Sequence, residues 1–488
     1  MKILLNFITL FFSIISFGQL TYERNLISNR TNKVVNKIIQ INELMDSAVY
    51  SIGTRPKQWD NFEELENIAT KSELLELTNH PNGVVRCYAF WALSHRTDID
   101  LFPILKNHLN DYELVNTQFG CIGNQEMVGD FYIQMSEPNE YEPESRSITN
   151  KEFSELDSLL IYKPNKLISR YRAIARSEPT EKLYPKIKEL VVNEKNPSAL
   201  VTLSKYKNVQ DIEIIKNFKE VTKDEENGYF YTYIAISEFP RLEFIPLLES
   251  NLRKTLDKTH FSGEWRELYK AIASYKNEKA LELLEIPFTK VQHQDIKKYH
   301  IDFVFDAILE FQDPLYDKLL WKIWEEENQR TLQSYKYLFS LNPSKAYELT
   351  KRELIENYQI QKSDFIPNIN NIEDSENFYE YMLNVIIAND KQLSDKIIYY
   401  QIETANVHNL PIFTSKVNKQ NMFVKAIFNR LENADNPHIY LNLVKTLIEF
   451  KSSDINNKIL ELRKRNKSMN ENWGSEALDE LFKENDIH

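Results

Sequence analysis

The chain has 488 residues, with 60 lysine and arginine residues against 72 aspartate and glutamate residues, a formal net charge of −12. This acidic balance argues against nucleic-acid binding, which needs a basic face to neutralise phosphates. Only 9 residues are glycine, so glycine-rich phosphate loops and hairpin-rich β folds are not expected. A hydrophobic content of 42% excludes a mostly disordered chain.

The first 18 residues have the pattern of a secretory signal peptide. Lys2 supplies the positive charge of the N-terminal region, and residues 3–15 form a mostly apolar run. Ser16 and Gly18 occupy the −3 and −1 positions of a cleavage site. The apolar run is too short to cross a bilayer, which takes about 20 residues. We therefore expect cleavage after Gly18, an exported chain that is periplasmic or secreted, and no membrane span in the mature chain.

A repeated pattern runs along the rest of the chain: an apolar stretch that ends in an aromatic residue, a polar turn and a second amphipathic stretch. The aromatic residues Tyr206, Phe239, Tyr275 and Phe311 are 33, 36 and 36 residues apart. The second stretches cover residues 99–109, 211–218, 242–252, 280–288, 315–323 and 455–462. Their apolar residues recur at intervals of three or four, which predicts helices with one apolar stripe each. Such helices must stack to bury their stripes, so the predicted fold is all-α.

One stretch of this pattern resembles a known repeat family. The sequence His80-Pro81-Asn82-Gly83-Val84-Val85-Arg86-Cys87-Tyr88-Ala89-Phe90-Trp91-Ala92-Leu93 is similar to the turn and second helix of a HEAT-type, armadillo-like repeat, although His80 replaces the usual acidic residue. Residues 110–115 resemble the next such turn, so the resemblance is clearest over residues 60–125. It implies a right-handed superhelix of stacked antiparallel helix pairs, an α-solenoid that acts as a scaffold. It also implies that Arg86 joins adjacent turns through acidic residues and backbone carbonyls.

The same patterns predict how the chain is divided. Residues 1–18 are the signal peptide, 19–60 an N-terminal capping helix and loop, 61–135 HEAT-like repeats, 136–150 an acidic proline-containing loop, 151–362 helical-pair repeats, and 363–488 degenerate helical repeats. The polar segments 136–150 and 363–376 are the expected junctions.

The chain has few candidates for catalysis or metal binding. Its nine histidines form no H-E-x-x-H pair, and there is no C-x-x-C, G-x-S-x-G or P-loop motif. His293 and His300 would lie about 10 Å apart on a shared helix, too far for a common zinc ion. We predict no metal site, no cofactor and no catalytic residue. We also expect Cys87 and Cys121 to be buried thiols without a disulfide between them.

Residues 117–132 form the most unusual segment. Gly120, Gly123 and Gly129 lie within ten residues of one another, beside Cys121, Gln125, Glu126 and Asp130. In a glycine-poor chain this indicates a bend, a close helix approach or a backbone next to a ligand. One hypothesis is a small pocket against the preceding helix; the alternative is a helix shortened beside the 136–150 loop. The candidate binding residues are Arg86, Trp91, His95, Gln118, Cys121 and Asp130.

These observations favour a binding protein over an enzyme. We interpret the chain as an exported interaction scaffold that binds a protein or peptide partner on a concave face, with no bond chemistry. Loss of the signal peptide would bring the formal net charge to −13, which favours a basic or neutral partner. The alternative is an extracytoplasmic enzyme, a hydrolase or lyase, with a pocket around residues 80–132. An inhibitor or immunity-like factor would also need only a binding surface.

Overall fold

A computed structural model describes residues 21–51, 53–137, 147–220, 228–359 and 378–488. Within these ranges the chain is predominantly helical, as predicted, with 26 α-helices and one three-stranded sheet. The chain divides into two compact units: unit 1 takes in residues 1–275 and 291–296, and unit 2 takes in residues 276–290 and 297–488. The expected signal peptide, and most of the junctions expected at 136–150 and 363–376, lie outside the described residues.

Unit 1 contains fourteen helices and three strands within the described ranges. The helices are α1 (Asn29–Ile41), α2 (Lys57–Ile68), α3 (Lys71–Leu77), α4 (Gly83–Ser94), α5 (Leu101–Asn107), α6 (Val128–Ser136), α7 (Asn150–Tyr162), α8 (Ile168–Ala175), α9 (Tyr184–Glu194), α10 (Pro197–Lys205), α11 (Ile212–Asn217), α12 (Phe230–Glu238), α13 (Ile245–Thr255) and α14 (Glu264–Ala273). The strands are β1 (Leu44–Val49), β2 (Leu114–Gly120) and β3 (Ile122–Met127).

Unit 2 holds most or all of each remaining helix. These are α15 (Glu278–Lys290), α16 (Gln294–Glu310), α17 (Asp317–Glu327), α18 (Leu332–Leu341), α19 (Pro343–Gln359), α20 (Phe378–Asn389), α21 (Lys391–Thr404), α22 (Leu410–Thr414), α23 (Val424–Glu432), α24 (Pro437–Ile448), α25 (Ser453–Arg465) and α26 (Asn472–Glu484). In unit 2, alternate helices pack on one another: α19 on α21, α21 on α23, α22 on α24, and α24 on α26.

The amphipathic periodicity located six of the helices correctly. All six predicted second stretches coincide with helices, namely α5, α11, α13, α15, α17 and α25. Pro185 and Pro246 lie in the first turns of α9 and α13, where a missing backbone N–H breaks no helical hydrogen bond. The recurring aromatic residues come one or two residues after helix ends, and the Tyr206 and Tyr275 hydroxyls bond to the carbonyls of Thr180 and Arg241.

Unit 1 is built from two layers of helices. In the first layer, α4, α6, α8, α10, α12 and α14 pack on one another in succession. In the flanking layer, α3, α5, α7, α9, α11 and α13 each pack on the helix that follows them in the chain. The inner helices of the first layer, α6, α8, α10 and α12, therefore bury two sides against their neighbours and a third side against a flanking helix.

The three-stranded sheet was not predicted. β1 pairs in parallel with β2, and β2 pairs antiparallel with β3 through a tight turn in which Gly120 has a φ of +54°. The residues 110–115, which resemble a repeat turn, therefore lead into a strand and not into the second helix of a HEAT-type repeat. In β2, buried Val115 and Thr117 alternate with exposed Leu114 and Asn116, which is the period-two pattern of a half-buried strand.

The sheet covers the remaining side of α4. The Tyr88 hydroxyl bonds to the backbone N–H and carbonyl of Met45 in β1 at 2.8 and 3.0 Å. The Phe119 ring of β2 lies 6.3 Å from the Trp91 ring. Every residue of α4 is consequently buried, in contrast to the later helices of the first layer.

Gly129 allows close approach between α6 and its neighbours. A Cβ atom at this position would lie 2.8 Å from the His108 carbonyl oxygen and 3.0 Å from two methyl groups of Leu167. We predict that Gly129→Ala lowers the free energy of unfolding by about 2 kcal/mol, because a backbone carbonyl has to shift. Chemical denaturation is the measurement.

Gly263 provides the control for this substitution. It lies at the start of α14, and a Cβ atom at this position would have no neighbouring atom within 4 Å. Gly263→Ala should leave the free energy of unfolding unchanged or raise it slightly, since alanine reduces the conformational entropy of the unfolded chain. Equal effects of the two substitutions would show that the packing around Gly129 is not as close as described.

Candidate functional site

Arg86 holds together the turn before α4. Its guanidinium makes a bidentate pair with Asp111 at 2.8 and 2.9 Å and bonds to Glu113 at 2.6 Å. A third nitrogen donates to the carbonyls of His80 and Pro81 at 2.7 and 3.1 Å. These acidic residues and carbonyls are the partners that the HEAT-type resemblance implies. Because the side chain is buried and each nitrogen has an acceptor, Arg86 has a structural role here.

Trp91 and His95 face other parts of the interior. Trp91 is 3% exposed and packs among Trp59, Phe62 and Phe131, with ring centroids 5.1 to 5.9 Å away. His95 Nδ1 lies 2.6 Å from a carboxylate oxygen of Glu66 in α2. Both residues therefore join α4 to α2 and α6 rather than line an open pocket.

Gln118 and Cys121 belong to the β2–β3 hairpin. The Gln118 amide donates to the Gly120 carbonyl at 2.9 Å, which fixes the hairpin turn. Cys121 is exposed in that turn, so the prediction that it is a buried thiol is wrong, whereas Cys87 is fully buried in α4. Both are free thiols, and burial raises the pKa of the Cys87 thiol well above its usual value.

Asp130 caps a neighbouring helix. Its two carboxylate oxygens accept hydrogen bonds from the backbone N–H groups of Ile168 and Ser169 at 2.9 and 2.8 Å. These groups begin α8, so the Asp130 charge compensates N–H donors that have no partner within that helix. The candidate pocket residues are thus divided among a turn, an aromatic core, a hairpin and a helix cap. The structure does not bring them together around a shared ligand.

The hairpin instead brings Glu126 close to α8. Glu126 pairs with buried Val115, so it lies on the sheet face that covers α4. Burial, and then the charge of Asp130, raise the pKa of the Glu126 carboxyl to about 7, while the charge of Arg172 in α8 opposes the shift. β3 also packs on α6, so the hairpin extends from α4 to the next helix of the first layer.

Four consecutive helices of the first layer expose one stripe each. We call this surface the four-helix face, and it consists of the accessible residues of α8, α10, α12 and α14. They are Ile168, Tyr171, Arg172 and Ala175; Ser198, Val201 and Lys205; Phe230, Tyr231, Ile234, Ser237 and Glu238; and Arg266, Glu267 and Lys270. Within each helix these residues recur every three or four positions, which is the spacing of a single side.

The four stripes lie side by side. The Lys205 ammonium donates to the Ala175 carbonyl at 3.0 Å, which places the C-terminal ends of α8 and α10 together. The Glu264 carboxylate accepts from the Tyr229 N–H at 2.9 Å, which places the N-terminal ends of α12 and α14 together. With neighbouring axes about 8–10 Å apart, the face extends roughly 30 Å across the four helices.

This face is a candidate functional site that the sequence did not reveal. Its exposed apolar residues, such as Ile168 at 55% and Tyr171 at 43%, recur at the same spacing as core residues. A sequence alone gives no reason to assign them to the surface. The one available signal was the glycine-rich segment 117–132, which contains Glu126 at one end of the face.

A buried ion pair and an exposed one can be compared directly. Replacing Arg86 by methionine leaves Asp111, whose side chain is only 15% exposed, without its bidentate partner and with a longer contact to His108 Nδ1 at 3.3 Å, so we predict a loss of about 3 kcal/mol in the free energy of unfolding. Arg55 also binds two acids, Asp60 and Glu63, but all three side chains are largely exposed. Arg55→Met should cause no measurable change by chemical denaturation. If R86M were equally harmless, the turn would not depend on this arginine.

The raised pKa of Glu126 makes stability depend on pH. Above pH 7 the Glu126 carboxylate is ionised in both the folded and the unfolded chain, and its burial lowers the free energy of unfolding. This loss of stability disappears as pH falls from about 7 towards 4.5, because the carboxyl becomes protonated. We predict that Glu126→Gln is more stable than the parent by about 1–2 kcal/mol at pH 8, after allowance for partial exposure, and nearly equal to it at pH 4.5.

Denaturation curves at the two pH values measure this difference. Glu181→Gln, at an exposed position in the loop before α9, serves as the control and should show no such pH dependence. A Glu126→Gln variant that is less stable than the parent at pH 8 would show that the carboxylate is favourably solvated.

Comparisons with known proteins identify no relative. No family model, no curated protein and no solved structure matches the chain. Across the described ranges, no helix combines the length and the apolar character needed to cross a lipid bilayer. The basis for a functional proposal is therefore the geometry of the molecule.

Proposed function

We propose that this protein is an exported interaction scaffold that binds a protein or peptide on the four-helix face without changing any covalent bond. In this proposal its helix pairs form a right-handed, HEAT-like superhelix, and the partner lies across the first layer. The residues suggested for an enzyme pocket, Arg86 and Asp130 among them, make structural contacts instead. A binding role therefore fits the molecule better than a catalytic one.

The observation that carries this proposal is the run of apolar side chains on one exposed face. Tyr171, Val201 and Ile234 occupy successive helices, and each is at least partly accessible to solvent. Single exposed apolar residues are normal on a protein surface, but a contiguous set bordered by polar residues is typical of a binding site. Rigid packing on three sides holds these residues in place, which lowers the entropy lost on binding.

The sheet marks one end of the binding surface. Because β1 and β2 cover α4, the equivalent side of that helix is closed to a partner. The surface available to a partner therefore begins beside β3, at Glu126 and α8, and continues to α14. This differs from the region 80–132 that the sequence suggested.

Charge introduced into the centre of the face should abolish binding. We predict that the double variant Val201→Glu, Ile234→Glu recovers at least tenfold less of a stoichiometric partner than the parent in affinity purification from the native envelope fraction. Burying two carboxylates against an apolar surface is strongly unfavourable. Circular dichroism checks that the variant is folded.

Val192→Glu is the matched control. Val192 lies on α9 in the flanking layer and is 46% exposed, so it presents the same side chain outside the face. This variant should keep the partner. A partner retained by the folded double variant would contradict the proposal, and so would the absence of any stoichiometric partner from the parent.

A further inference from the structure

The four-helix face differs in charge from the chain as a whole. By formal count its accessible residues include four basic side chains and two acidic ones: Arg172, Lys205, Arg266 and Lys270 against Glu238 and Glu267. Lys270 lies 3.5 Å from Glu267 on the same helix. The balance on the face is therefore basic, although the chain carries a net charge of −12.

The charges of Arg172 and Lys205 remain available to a partner. Lys205 donates to a backbone carbonyl, which holds the ammonium between α8 and α10 without neutralising it. Arg172 is exposed and interacts electrostatically with Glu126. Because the pKa of the Glu126 carboxyl is raised to about 7, roughly half of the Glu126 side chains are protonated and neutral at pH 7. One end of the face thus keeps a positive potential.

Further basic residues follow the N-terminal edge of the same helices. Lys166 lies two residues before α8, and Lys195 lies two residues before α10. Both side chains are exposed. Together with Arg172 and Lys205, they place positive charge beside the part of the apolar strip that α8 and α10 contribute, Tyr171 and Val201.

We propose that the partner is an acidic segment with interspersed apolar residues, which crosses α8, α10, α12 and α14 in an extended conformation. The inference rests on the proposed function and specifies the chemistry of the ligand at that site. A face of roughly 30 Å accommodates about nine residues at 3.3–3.4 Å each. Apolar side chains of the segment pack on the strip, and its carboxylates lie next to the lysine and arginine residues on the borders. Net charge favoured a basic partner, whereas the local arrangement favours an acidic one.

A display library of random nine-residue peptides tests this assignment directly. We predict that selection on the full chain at 0.15 M salt enriches peptides that combine aspartate or glutamate with aromatic or aliphatic residues. The best of these should bind the Arg172→Glu, Lys205→Glu variant at least tenfold more weakly, because two attractive charges become repulsive. Fluorescence anisotropy with a labelled peptide gives the affinities.

The control variant reverses two charges outside the face. Lys151 on α7 and Lys182 in the loop before α9 are exposed, so Lys151→Glu, Lys182→Glu produces the same change in net charge. It should bind the selected peptides within about twofold of the parent, because these charges lie outside the face and exposed charges are weakened by screening at this salt concentration. Equal weakening by both double variants would overturn the assignment of the acidic segment to this face.

The selection also separates the two proposals. Enrichment of lysine- and arginine-rich peptides that bind through Val201 and Ile234 would overturn the acidic assignment and leave the scaffold function standing. Failure to enrich any peptide that the Val201→Glu, Ile234→Glu variant loses would overturn both.

Discussion

The structure of unit 1 depends on the packing of α4, α6, α8, α10, α12 and α14 on one another in succession. Each of these helices is short, and a short helix is stable only when its apolar side is buried. In α8, Ala173 and Ile174 are fully buried, whereas Ile168 and Tyr171 are exposed. Since three sides of α8, α10 and α12 are occupied by other helices, only the fourth side of each is free to carry function.

The sheet limits where that function can lie. At α4 the fourth side is closed by β1 and β2, and the Tyr88 hydroxyl bonds to the backbone N–H and carbonyl of Met45. Arg86 fixes the turn into the same helix, so this part of the chain is rigid and fully packed. The residues that are conspicuous in the sequence thus stabilise the molecule, and the accessible surface begins one step further along at α8.

Much of the helical architecture could be predicted from the sequence, because amphipathic periodicity reports burial on one side. The bonding of Arg86 to acidic residues and carbonyls was also implied by residues 80–93. The β2–β3 hairpin was missed because Leu114 and Val115 resemble part of a repeat turn, and alternation over the four residues 114–117 is a weak signal. The four-helix face was missed because Val201 and Ile234 look like core residues until packing is known. Net charge failed to predict local charge, since most acidic residues lie elsewhere on the chain.

Distances between spin labels test the side-by-side arrangement most directly. With exposed Cys121 replaced by serine and Cys87 left buried, labels are placed at Arg172 with Ile234, and at Arg172 with Lys270. Helix spacings of about 8–10 Å predict separations of roughly 20 Å for the first pair and 30 Å for the second. A separation for the Arg172 and Lys270 pair that is no longer than for the Arg172 and Ile234 pair would contradict both the layer and the binding face built on it.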